Sequence, residues 1–248
     1  MLADAYVRAS YYPNTPRALL APGARTHGII AQLLASDADL ICLQEVEPIL
    51  FSALQQAVAP RGYSLRYAAK GAGRPDGCAL LARNSRVAIV ESRTLTFADG
   101  APDRDDSGHT ALVADLKIDG RAVGVATTHL RWDRPGTASA ERWAVRQVRD
   151  LLAATLAGEW ILCGDFNFEA DDEVYARLLA AGLIDAFATA ALPTALTNGR
   201  THRIDYLLHT VGLAATPRPS HAIDPTLPMP SALMPSDHLP ISARVSFV

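Results

Sequence analysis

Trp160-Ile161-Leu162-Cys163-Gly164-Asp165-Phe166-Asn167 is an apolar run that opens onto a glycine, an acid and an amide. Four apolar residues bounded by turn formers read as a buried strand. Asp165 and Asn167 then stand at the lip of a sheet, where open α/β sheets place their sites. A carboxylate there can take a proton from water or hold a hard cation, and an amide can donate to a phosphate oxygen. By itself the tetrapeptide is equally an ordinary turn.

Outward from it, other strand-like runs end in the same way. Leu40 to Leu43 ends at Gln44-Glu45, and Val125 to Thr128 ends at His129. Asp76 precedes Cys78 to Leu81, and Asp205 heads Tyr206-Leu207-Leu208. Asp237-His238 lies in Pro235-Ser236-Asp237-His238-Leu239-Pro240. Singly, each has a bland reading: a solvated turn acid, a core histidine, a turn cap. Together they would crowd several carboxylates and two histidines at one edge, which is costly unless a cation or an anionic substrate compensates.

The remaining pattern is α/β. Helical spacing covers 26–35, 48–58, 139–156 and 172–180, and Asp119-Gly120 joins 111–118 and 122–128 as a hairpin. Extended segments cover 63–67, 78–81, 87–97, 204–208 and 241–248, and a Pro-rich loop runs from 217 to 235. Strands both hairpinned and separated by helices imply mixed sheets in layers. The 248 residues show no composition break, so one domain over 1–248 is expected. A net charge of −3 argues against non-specific grip on long duplex DNA. Cys42, Cys78 and Cys163 sit in apolar runs without metal spacing, which reads as buried thiols of a reducing, cytoplasmic compartment. No stretch has transmembrane length, so no membrane partner is expected.

The chemistry that uses this set is metal-assisted hydrolysis of a phosphate ester. Mg²⁺ takes oxygen ligands from one or two carboxylates, an Asp positions the attacking water, and histidines and an amide hold phosphoryl oxygens. Zinc, P-loop and serine-hydrolase signatures are absent from the sequence.

Leu43-Gln44-Glu45-Val46, Thr128-His129-Leu130, Gly164-Asp165-Phe166-Asn167, Arg203-Ile204-Asp205-Tyr206 and Ser236-Asp237-His238 resemble, in order, the motifs of the endonuclease/exonuclease/phosphatase superfamily. The resemblance implies a DNase I-like α/β/β/α sandwich with two mixed sheets. Leu2-Ala3-Asp4-Ala5-Tyr6-Val7, Tyr11-Tyr12-Pro13, Asp76-Gly77-Cys78-Ala79 and His129-Leu130-Arg131-Trp132-Asp133 are similar to its nocturnin and carbon-catabolite-repressor type deadenylase branch. That branch is Mg²⁺-dependent and acts on RNA or nucleotides, with Mn²⁺ as the other candidate ion.

The resemblance assigns Glu45 as the main metal ligand, with Asp237 near the metal. It assigns Asp165 to the water, Asn167 to the phosphate, His238 to the scissile phosphate and Asp205 as the partner of His238. It assigns His129 to phosphate binding or leaving-group protonation, with Asp76 as its paired acid. His109 falls where relatives often carry Asn, as a phosphate contact or a plain loop histidine. Trp132 either stacks on a base or packs under the helix from Ser139. Arg131, Arg134 and Arg203 either meet phosphates or are solvated. The family's first strand and its metal-binding Asn would precede Met1 and are not in this sequence; truncation is the expected reason. The favoured function is a phosphodiesterase or nuclease on RNA or nucleotides. The alternatives are a phosphomonoesterase on a nucleotide, sugar or inositol phosphate, and a catalytically weakened binding domain.

Overall fold

The computed structural model describes residues 1–155, 157–190, 192–219 and 221–248. Leu156, the expected end of a helix, and Ser220, inside the Pro-rich loop, lie outside the described residues. Among the described residues, thirteen strands and four α-helices follow one another. The strands are β1 (Leu40–Val46), β2 (Tyr63–Ala69), β3 (Gly77–Arg83), β4 (Val87–Thr96), β5 (Thr110–Ile118), β6 (Arg121–His129) and β7 (Trp160–Asp165). They continue as β8 (Ile184–Asp185), β9 (Ala195–Thr197), β10 (Arg200–His202), β11 (Asp205–His209), β12 (Leu213–Pro217) and β13 (Ala243–Phe247). The helices are α1 (Thr26–Ala35), α2 (Pro48–Val58), α3 (Trp143–Ala154) and α4 (Glu173–Ala180).

Two sheets stack face to face. The smaller has the order β1-β3-β2 and is antiparallel throughout; the larger has the order β4-β5-β6-β7-β11-β8. Of the two sheets expected to be mixed, only the larger is, through the parallel pair β6–β7. β12 and β13 pair separately, as do β9 and β10.

Three apolar layers hold the stack. Leu80, Ala82, Leu112, Leu116, Val125 and Ile161 fill the space between the sheets. Leu50, Leu54 and Val58 of α2 cover the small sheet through Leu43, Ala79 and Leu81. Val148 and Leu151 of α3, with Val174 and Leu178 of α4, cover the large one through Val113, Leu162 and Tyr206. β3 is buried on both faces, hence its continuous run Cys78-Ala79-Leu80-Leu81-Ala82 instead of an alternating one.

Local chemistry sets the ends. Pro48 occupies the first turn of α2, where its missing N–H costs nothing. The Asp172 carboxylate accepts from Val174 N–H and caps α4. Asp119 and Gly120, both at positive φ, close the β5–β6 hairpin. The N-terminus of α3 is capped from a distance: Asp133 accepts from Trp143 N–H and Ala144 N–H, each at 2.9 Å. That cap ties the segment following His129 to the helix layer.

The tightest constraint is at Gly164, paired with Thr128 across β6–β7. A Cβ there would stand 1.9 Å from the Thr128 carbonyl oxygen, and its φ of 152° is one that side chains rarely adopt. Gly164→Ala therefore has to part the two central strands. We expect a loss of about 3 kcal/mol or more, read as a fall in the urea midpoint; an unchanged midpoint would show that the strands are not locked here.

Candidate active site

The β6, β7 and β11 registers put His129 beside Asp165, and Asp165 beside Asp205. Three polar residues far apart in sequence thus form one rung across the lip of the large sheet. Asn167 follows at φ 56°, its N–H donating to Asp165 Oδ1 at 2.9 Å. His238 arrives from the opposite side: its backbone bridges Ala195 of β9, and its Nδ1 lies 2.9 Å from Asp205 Oδ2. Asp165 Oδ2 then sits between two imidazoles, 3.6 Å from His129 Nε2 and 3.7 Å from His238 Nε2. Those gaps are too long for direct hydrogen bonds, so Asp165 Oδ2 keeps its lone pairs for a group entering the cleft.

Glu45 comes from the small sheet. Pairing of β1 with β3 slips between Leu43 and Val46, and Glu45 sits in that bulge at φ 58°. A non-glycine residue held at positive φ is strained, and such strain collects at functional sites. The bulge re-aims Glu45 into the cleft, where Oε1 reaches 3.8 Å from His129 Nδ1 and Oε2 accepts from Ala3 N–H at 2.7 Å. Next to it, Gln44 Nε2 donates to Thr127 Oγ1 at 2.8 Å and ties the two sheets together under the site.

Burial pushes the Glu45 carboxyl up to about 7, with the charge of Asp237 adding to the rise. Burial also raises Asp165, to about 6. Burial pulls His238 down, but Asp205, Asp165 and Asp237 together outweigh it and push it up to about 10. His129 goes the other way, held well below the ordinary range by burial and then by Lys70 and His109. Two histidines a few ångströms from one carboxylate are thus an imidazolium and a neutral imidazole at neutral pH, a separation of roles typical of acid–base sites.

Oxygen donors make this a fit for a hard cation. Asp237 is buried, its charge adds to the cost of ionising the half-buried Glu45, and a divalent ion would relieve that cost. Asp165, Asp205 and His238 also present ligand atoms within 4.8 Å of one another. That trio fits a metal less well, because Asp205 already occupies His238 Nδ1 and the ring holds its second proton.

Several expectations change. Asp76 does not pair with His129. Its Oδ2 accepts from Lys70 Nζ at 2.7 Å and its Oδ1 from the Tyr6 hydroxyl at 2.6 Å; Lys70 Nζ in turn lies 3.1 Å from His129 Nδ1. An ammonium has only protons to give, so His129 Nδ1 must accept and its Nε2 must carry the ring proton. Arg203 is no substrate contact: it is buried, bonded to Asp185 and stacked 4.6 Å from the Tyr206 ring. Trp132 does not pack under a helix but is 58% exposed. It lines, with Arg134, Asn167, Glu169 and His202, a cleft of about 380 Å³. Arg131 stacks 4.8 Å from the Trp143 ring and gives its N–H to Gln147, beside the site rather than in it. His109 stands edge-on to His129, ring centres 5.8 Å apart. Asp237 accepts from the Tyr12 hydroxyl at 2.7 Å.

Lys70 drew no assignment from the sequence, and Tyr6, Tyr12 and Gln44 stand in the quoted motifs without an assigned role. Lys70 opens the Gly- and charge-rich stretch 70–77, and only the fold buries its side chain. All three cysteines are free thiols, and among the described residues no helix is long and apolar enough to cross a membrane.

Residues 14–238 match the sequence pattern of the Endonuclease/Exonuclease/phosphatase family. Among curated proteins, Nocturnin of Homo sapiens is 27% identical over 250 residues, covering 88% of this chain and 57% of its own length. Carbon catabolite repressor protein 4 homolog 4 of Arabidopsis thaliana is 26% identical over 316 residues, covering 98% of this chain and 75% of its own. The human Nocturnin catalytic domain with bound sulfate anion superposes with a TM-score of 0.72 at 27% identity, covering 90% of this chain and 86% of that one. ANGEL2, a 2′,3′-cyclic phosphatase, in complex with adenosine-2′,3′-vanadate, shares the fold at a TM-score of 0.79 and 19% identity, covering 98% and 92%.

Lys70→Met leaves Asp76 buried and uncompensated, which costs about 3–5 kcal/mol. Adding Asp76→Asn should recover most of that loss in a urea double-mutant cycle. Independent, additive effects would show that the pair is not coupled.

Proposed function

The chain belongs to the Endonuclease/Exonuclease/phosphatase family, and from that membership and its site we propose a Mg²⁺-dependent phosphodiesterase acting on RNA or nucleotide substrates. One observation carries the reading. Asn167 Nδ2 lies 3.0 Å from His129 Nε2, and both are donors. The amide orientation follows from Leu130 O, an obligate acceptor 2.8 Å from Nδ2. The protonation of Nε2 follows from Lys70 at Nδ1. Two N–H donors side by side at this distance repel one another, and an anionic phosphoryl oxygen accepting from both would relieve that.

The other residues fall around that point. Asp165, with Oδ2 free of direct hydrogen bonds, orients the attacking water and takes its proton. The His238 imidazolium, fixed by Asp205, faces the same space and stabilises charge building on phosphorus-bound oxygens. Glu45 and Asp237 would hold the cation, Mg²⁺ or Mn²⁺. A bound divalent ion supplies Lewis-acid stabilisation of the developing charge. The cleft beside Asn167, open under Trp132, takes the remainder of an extended substrate, with the exposed indole as a stacking surface. That open side favours a diester over a small monoester. The names of the relatives, Nocturnin and the CCR4-Not complex 3′-5′-exoribonuclease subunit Ccr4, support nucleotide or RNA chemistry. The chain spans between a quarter and three quarters of the length of the first curated relatives it matches.

Hydrolysis of a short oligo(A), a simple phosphodiester and a mononucleotide is to be measured with Mg²⁺ and with EDTA. We expect Mg²⁺-dependent turnover of the oligonucleotide, and a fall of about 10³-fold or more in Asp165→Ala and His238→Ala at unchanged melting temperature. Equal rates for wild type and Asp165→Ala on every substrate would falsify the assignment. Turnover of the mononucleotide alone would replace it with a phosphomonoesterase.

The metal site has its own readout. Mg²⁺ raises the melting temperature of the wild-type protein and not of Glu45→Gln. Without metal, Glu45→Gln should be the more stable at pH 8. A carboxyl raised to about 7 keeps its folded-state contribution below its unfolded value and loses it as pH rises through 7. Equal Mg²⁺ shifts in the two proteins would place the ion elsewhere.

A further inference from the structure

We infer that His109 Nε2 is a hydrogen-bond acceptor facing the phosphate site, built to receive the ribose hydroxyl next to the scissile phosphate. This rests on the phosphoester reading above and deepens it to ribonucleotides.

The proton on His109 can be located because its network ends in groups with no choice. Arg131 N–H can only donate, and it donates to Gln147 Oε1 at 2.9 Å. Gln147 Nε2 is thereby turned to the other side, where it donates to Asp99 Oδ2. Asp99 is fully buried, and its Oδ1 accepts from Ser107 N–H at 2.7 Å. Ser107 Oγ lies 2.6 Å from Asp99 Oδ2, a contact between two oxygens that needs a proton, and the serine supplies it. With that proton spent, Ser107 Oγ is an acceptor toward His109 Nδ1, 3.1 Å away. Nδ1 therefore holds the ring proton and Nε2 holds a lone pair. Burial, then Lys70, Arg74 and Arg131, depress His109 to about 2, so the second nitrogen stays unprotonated.

Nε2 makes no hydrogen bond within the protein, yet it is not among the enclosed unpaired atoms of the described residues. Its ring stands edge-on to that of His129, with centres 5.8 Å apart, and His129 presents Nε2–H to the phosphate. A lone pair repels a phosphoryl oxygen. The expected phosphate contact is thus excluded by the tautomer, and the fitting partner is a neutral donor within one ring's width of the phosphate. On a phosphoester of RNA that donor is the ribose 2′-hydroxyl; DNA has none. An Asn at this position would offer both a donor and an acceptor, whereas this histidine offers an acceptor alone.

Two measurements test this. In ¹⁵N-imidazole NMR spectra, the signals lost in His109→Phe should show the proton on Nδ1; a proton on Nε2 overturns the inference. Adenosine 3′-phosphate and its 2′-deoxy counterpart are then titrated with Mg²⁺. Wild type should bind the ribo form about tenfold tighter, the size of one well-made hydrogen bond, and His109→Phe should bind both alike. Equal binding by wild type, a preference that survives in His109→Phe, or no binding of either nucleotide overturns it. If His109→Phe does not fold, Ser107→Ala removes the acceptor for Nδ1–H and should shift the proton to Nε2 and abolish the preference. Both readouts are independent of turnover. An absence of hydrolysis therefore removes the proposed function without deciding this inference, and equal binding does the reverse.

Discussion

Close contact between β6 and β7 is the constraint on which the site depends. These two strands form the parallel pair of the large sheet, and Gly164 lets the β7 backbone lie against the Thr128 carbonyl. One register step either way would turn His129 and Asp165 to opposite faces. Because β11 is locked to β7 from the other side, Asp205 joins the same rung. The spacing of water, phosphate and imidazolium positions is therefore a property of strand pairing, not of side-chain adjustment.

The second sheet supplies what the first cannot. Glu45 has to reach from β1 into a cleft lined by β6 and β7, and a regular strand would hold it square on one face of the small sheet. The bulge at Gln44-Glu45 breaks the ladder and gives Glu45 its left-handed backbone. Strain of this kind costs of order 1–3 kcal/mol, and the surrounding contacts oppose it: Gln44 to Thr127, Ala3 to Glu45, and the apolar layer between the sheets. Burial raises the Glu45 and Asp165 carboxyls toward neutral pH, so a cation among them would offset the cost of their ionisation.

Protonation in this site is dictated by groups that lack alternatives. Lys70 fixes the tautomer of His129, Asp205 favours the charged ring of His238, and Asp99 through Ser107 fixes the tautomer of His109. In each case an obligate donor or acceptor lies one bond behind the histidine. Three rings of the same chemical type then present three different faces to the cleft: a neutral donor, a cation and a bare lone pair.

Much of this was legible in the chain. Alternation of apolar runs with polar strand ends named Glu45, His129, Asp165, Asn167, Asp205 and His238, because short strands with buried faces must place their polar residues at the ends. Helix starts at Pro48 and Asp172 and the turn at Asp119-Gly120 were set by local sterics and capping. Partners were not legible. Arg203 read as a phosphate contact or a solvated charge, and its burial against Asp185 depends on a residue eighteen positions away in sequence. Asp76 read as the partner of His129, and the lysine that stands between them belongs to no motif of the chain. Trp132 and Trp143 stand eleven residues apart, and the fold leaves one exposed and stacks two arginines on the other. A strand end is a local fact, fixed by hydrophobic period and turn chemistry. Which charge a buried side chain meets is a fact about strand order and register, and only the packed sheets decide it.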